Sequence, residues 1–158
     1  METLEIVKSD YELERGKPMP TWNHALLQKR IMYQVEGRYE GTYYVMPELN
    51  VSILGERLIP DLAVFAGSDS FLAHDKTTMT ELPLIAVEIL SPSQHVSELV
   101  EKARQYLQAG VKSCWIVVPE FMQIVVTTQV GNYQSFNRHD TLVDPATGIE
   151  LELAPLFS

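Results

Sequence analysis

The feature that most constrains this chain is a pair of apolar runs joined by an amphipathic segment. PLIAVEIL (83–90) and SCWIVVP (113–119) are almost continuously apolar and rich in β-branched residues, the pattern of strands covered on both faces. Between them, VSELVEKARQYLQAG (96–110) puts Val96, Leu99, Val100, Ala103 and Leu107 on one helical face, with Gly110 as a stop. Strand, helix, strand in that order predicts a β-α-β crossover, hence a parallel pair inside a mixed sheet. Such a sheet needs a sizeable core, and 158 residues that are 46% hydrophobic can supply one.

The remaining elements fall around that unit. Ser9 or Asp10 caps a helical turn through YELERG, which Gly16 ends. MPTWNHALLQKRIMYQVEG (19–37) predicts a long helix with Thr21 as N-cap and Gly37 just past its end; Leu26, Leu27, Ile31 and Val35 form its apolar face. TYYVM, NVSIL and LIPDLAVF read as a meander of strands, and residues 67–82 as a loop with one helical turn. QIVVTTQ and NYQSF flank a hairpin turn at Gly131-Asn132, and TGIELELAPLF alternates apolar residues with acids before Pro155. With no repeat or linker, the expectation is one domain over 1–158, an α/β fold of α+β character with a mixed sheet flanked by helices.

Charge and motifs exclude several functions. The formal charge of −9 argues against tight nucleic-acid binding without a metal, because phosphates are held mainly by Lys and Arg. No apolar stretch reaches the length of a membrane span, and the acidic METLEIVKSDYELERG does not look like a signal peptide. The single cysteine, Cys114, forms no internal disulfide and reads as core; a reducing, cytoplasmic setting is expected. The four histidines lack zinc-ligand spacing, and G-x-S-x-G, P-loop and G-x-G-x-x-G motifs are absent. Trp22, Tyr43, Tyr44 and Tyr133 read as packing aromatics.

Two carboxylates stand out. Glu88 lies inside the most apolar strand, where an unpaired charge is expensive; a structural ion pair and a functional acid are equally open on that residue alone. Asp61, after Pro60, is by itself best read as a turn residue. On neighbouring strands the two together suit a hard divalent cation such as Mg²⁺. Lys102 sits at the edge of the second helix's apolar stripe, on the side of His95 and Tyr106. It has three outcomes open: snorkelling to solvent, an i,i+4 pair with Glu98, or reaching toward Glu88.

YELERGKPMP, the Asn23-His24 pair, PDLAVF, VEILSPS, EKARQYLQAGVKSCWIVVP and GIELELAPLF together resemble the Uma-two family, over about residues 10–157. The resemblance implies a restriction-endonuclease-like fold related to the PD-(D/E)xK nucleases. It implies a Mg²⁺- or Mn²⁺-dependent endonuclease acting on DNA, and a homodimer. Asp61 and Glu88 would be metal ligands, with the Ile89 carbonyl beside them. Lys102 would be a lysine migrated to the helix from the strand position where Leu90 stands. Glu12 would complete the catalytic set, and His24 and Tyr106 would be accessory. This sequence departs from the family pattern at Arg15, Lys17 and Val118, where acids are common. The rival expectation is a non-catalytic regulatory or interaction protein that retains the fold.

Overall fold

The computed structural model describes residues 8–158; METLEIV, part of the stretch judged unlike a signal peptide, lies outside them. The chain begins with α1 (Asp10–Arg15), whose N-cap Ser9 accepts the Glu12 N–H at 3.3 Å and whose C-cap Gly16 has φ 67°. The long helix α2 (Trp22–Arg38) starts where Thr21 Oγ1 accepts the His24 N–H at 3.2 Å. It continues two residues further than the sequence implies. Gly37 lies inside it, because Tyr39 N–H still reaches the Val35 carbonyl at 2.9 Å.

Strands β1 (Tyr43–Pro47), β2 (Val51–Ile53), β3 (Glu56–Leu58) and β4 (Leu62–Ala66) follow. They do not form one meander. β2 and β3 make a separate hairpin turning at Leu54 and Gly55, whose φ values are 50° and 80°. LIPDLAVF is therefore split: Leu58 ends β3, and Pro60, which has no N–H for a ladder, interrupts before β4 begins. Residues 67–82 contain no helical turn, only a bridge between Met79 and Val51.

The crossover forms as expected. β5 (Ile85–Ile89), α3 (Val96–Ala109) and β6 (Ser113–Val118) give the parallel pair, and β7 (Gln123–Gln129) and β8 (Asn132–Phe136) extend the sheet antiparallel. The six-stranded order is β1-β4-β5-β6-β7-β8, so β5 and β6 are central. The last hairpin, β9 (Thr141–Val143) with β10 (Glu150–Glu152), is separate.

Alternation along β5 divides the core in two. Ile85, Val87 and Ile89 join Leu27, Ile31 and Val35 of α2, with Leu142 and Leu151 closing that layer. Ala86 faces the other layer with Leu99, Ala103 and Tyr106 of α3, Val51 and Ile53 of β2, and Cys114 and Ile116 of β6. On α3, Val96 is exposed while Tyr106 takes a fully buried place. The sequence pattern puts Val96 on the apolar face and Tyr106 on the Lys102 side at its edge; Tyr106 is buried because its hydroxyl finds a partner in Glu88 of β5 at 2.9 Å.

The aromatics divide. Tyr44 stacks on Phe65 at 5.4 Å and Tyr43 meets Tyr39 edge-on at 5.8 Å. Trp22, 82% exposed, and Tyr133 do not pack, lying at the first residue of α2 and on an edge strand. Among the described residues no helix is long and apolar enough to cross a membrane.

Candidate metal centre

The register of the sheet brings the two singled-out acids together. β4 and β5 run antiparallel with Leu62 opposite Val87; one step further lie Asp61 and Glu88, at the end of the ladder. Asp61 is 1% exposed and Glu88 4%. An ionised carboxylate that deep must be matched by donors or cations, and the two are matched differently.

Asp61 Oδ2 accepts the Ile89 N–H at 2.6 Å, so Ile89 meets the aspartate through its amide. Its Oδ1 takes the Lys17 ammonium in a buried ion pair and lies 3.2 Å from His24 Nε2. Burial opposes ionisation of Asp61, but the His24 hydrogen bond and the Lys17 charge outweigh it and hold the carboxyl below its ordinary range. Burial likewise opposes charge on Lys17 and on His24. Glu88, Asp61 and Glu48 nonetheless raise the lysine, and the Asp61 contacts raise the histidine.

Glu88 faces α3. Its Oε1 accepts the Tyr106 hydroxyl at 2.9 Å, and Lys102 Nζ lies 3.8 Å from its Oε2. Burial pushes its pKa up to about 7 and the Asp61 charge adds to that, against the pull of Lys102, Lys17 and the Tyr106 hydrogen bond. Burial also drives the Tyr106 phenol well above its usual range. Lys102 pairs with the acid while its side chain stays partly exposed. The i,i+4 pair with Glu98 does not form.

Asp61, Glu88, Lys102, His24 and Tyr106 are thus gathered at one end of the central strands. Glu12 is not brought to them: its backbone N–H and carboxylate engage Ser9 at the start of α1, and it has no hydrogen bond or ion pair with Asp61, Glu88 or Lys102. Two residues that carry the centre escaped the sequence reading. Glu48, held at φ 53° after β1, accepts from Gln28 at 3.1 Å, Arg15 at 3.0 Å and Lys17 at 3.3 Å. Lys17 is 7% exposed. The one hint was its departure from the family pattern, where an acid is usual.

Among the described residues, His24, Glu48 and Asp61 are the one set of histidine and acidic side chains whose ligand atoms all lie within 4.8 Å of one another. Two carboxylates and an imidazole are a ligand set that could hold a divalent cation. Glu88 extends the acidic wall from the α3 side. Lys17 is the cation that now stands among these groups. A narrow cleft lined by Tyr11, Lys17, His24, Asp61, Ser91 and Gln94 opens onto them.

A mixed sheet ending in paired carboxylates, with a lysine on the crossover helix, defines a restriction-endonuclease-like fold with an acidic centre. The Uma2 (Uma-two) family model, described as "Putative restriction endonuclease", matches residues 3–155, and the chain belongs to that family. Among solved structures it is similar to one described as a "putative nuclease belonging to DUF820" from Anabaena variabilis. That match has 20% identity and a TM-score of 0.75, and covers 89% of this chain and 83% of the other; at this identity it speaks for the fold. No curated protein matches the chain.

Proposed function

We propose that this protein is a Mg²⁺- or Mn²⁺-dependent endonuclease that hydrolyses phosphodiester bonds in DNA. The observation that carries the reading is the placement of Asp61 and Glu88 one step beyond the Leu62–Val87 pair, with Lys102 beside Glu88. Asp61 and Glu88 would hold the ion, and His24 and Glu48 are further ligand groups clustered with Asp61. When bound, the ion supplies charge to a phosphate oxygen and lowers the pKa of attacking water. The chain does the rest. Tyr106 fixes the Glu88 carboxylate by its 2.9 Å hydrogen bond, and Ile89 N–H fixes Asp61. Lys102, partly exposed, orients water at the centre and stabilises negative charge developing on the phosphate. Glu12 has no part in this scheme.

The test is incubation with plasmid, linear and single-stranded DNA in Mg²⁺ or Mn²⁺. Cleavage is expected, and Asp61→Asn, Glu88→Gln and Lys102→Ala should each slow it about 100-fold or more. No cleavage, or unchanged cleavage by Lys102→Ala, overturns the catalytic assignment. A second reading, a non-catalytic regulatory or interaction protein, is favoured by one observation: the Lys17 ammonium already compensates the acids. It predicts no metal binding that depends on Asp61 or Glu88 in calorimetry.

A further inference from the structure

We propose that Lys17 is the resident counter-ion of Asp61 and Glu48, and that a divalent cation enters this end of the centre only by displacing it. The segment from Gly16 to Pro20 then governs metal occupancy. This rests on the reading of the centre as a metal site and adds a control that the reading does not contain.

The contacts make displacement necessary. Lys17 Nζ pairs with Asp61 Oδ1 and lies 3.3 Å from Glu48 Oε2. Those two carboxylates, with His24, are the groups that cluster closely enough to hold an ion. Asp61 Oδ2 is engaged by the Ile89 N–H at 2.6 Å, which leaves Oδ1 as the oxygen shared by Lys17 and His24. An ammonium and a dication would compete for the same oxygen, and in a buried setting their mutual repulsion is strong. Held together, neither would be stable.

The segment is also built to leave. None of the six residues of α1 is buried, so no apolar core fixes it. Its ties to the body are polar: Arg15 to Glu48 at 3.0 Å, and the Glu14 carbonyl accepting from Arg57 at 3.4 Å. Gly16, at φ 67°, with Pro18 and Pro20 after it, forms a short connector between two independently capped helices. Lys17 is therefore anchored chiefly by the acids it neutralises. Supplying those acids with another cation removes its reason to stay buried.

The decisive measurement is lysine acylation of the native protein read by mass spectrometry, with and without Mn²⁺. Lys17 should be protected without the ion and labelled severalfold more at saturation, while exposed Lys29 is unchanged. Calorimetry supplies the second arm. Lys17→Met should bind Mn²⁺ about tenfold more tightly or better, equivalent to about 1.4 kcal/mol, and adding Asp61→Asn should remove that gain. Lys17 staying protected at saturating Mn²⁺, or Lys17→Met binding no more tightly, overturns displacement. Footprinting uses the native chain, so it decides even where the variant fails to fold. If native protein binds Mn²⁺ through Glu88 with Lys17 still protected, displacement falls and the nuclease reading stands. If neither protein binds Mn²⁺, both fall.

Discussion

Glu88 is held where ionisation is hardest, and that has a measurable consequence in metal-free protein. Burial, then the neighbouring Asp61 charge, raises its pKa to about 7 from the ordinary 4.5. The unfolded chain releases this proton near 4.5 and the folded chain keeps it to about 7, so the folded state binds more protons between those values. Stability from this group therefore falls as pH rises from about 4.5 to about 7, and the full penalty persists above. Glu88→Gln removes the titration but keeps an amide near Tyr106. In EDTA, urea midpoints of Glu88→Gln should gain on the native protein between pH 5 and pH 8. A constant difference across that range would mean that Glu88 titrates normally. Asp61 runs the other way: its lowered pKa makes its contribution present above the unfolded value and lost as pH falls through the folded one. Since both proteins share Asp61 and His24, the difference isolates Glu88.

At the scale of elements, α2 carries a correctable flaw. Gly37 is exposed within the helix, and a Cβ there would meet nothing within 4 Å. Glycine in a helix interior costs roughly 0.5–1 kcal/mol relative to alanine. Gly37→Ala should therefore raise stability by about that amount in chemical denaturation; a loss would mean that the helix ends before residue 37. The same glycine shows what local sequence can tell. Caps at Ser9, Thr21 and Gly110 were legible because they depend on neighbours a few residues away, and the β5-α3-β6 unit because consecutive strands joined by a helix pair in parallel through a crossover. Strand partners are not local, so the departure of the β2–β3 hairpin from the main sheet was not legible. The site divides on the same line. Asp61, Glu88 and Lys102 stood out because each breaks or borders an apolar pattern. Lys17 and Glu48 lie in loops, where charge is ordinary, and the contacts of Lys17 span 44 residues to Asp61 and 31 to Glu48.

On the whole molecule, charge sets how DNA could be engaged. The chain has 12 Lys and Arg against 21 Asp and Glu. Five of those cations, Arg15, Lys17, Arg38, Lys102 and Arg104, are committed to internal ion pairs, which leaves seven against an excess of acids. On the proposed reading, recognition of a polyanion by such a surface runs through the candidate metal centre, where a bound divalent ion would reverse the local field. Fluorescence anisotropy with labelled DNA in Ca²⁺, chosen to separate binding from cleavage, checks this. Binding should appear with the ion and vanish in EDTA. Each neutralised phosphate contributes about −0.9 to the slope of log K against log salt, so a slope no steeper than about −3 is expected for contact with few phosphates. A slope near −6, or undiminished binding in EDTA, would place the affinity on a basic surface and not at the acidic centre. Asp61→Asn should abolish the Ca²⁺-dependent part, since the ion has no anchor on the β4 side without that carboxylate.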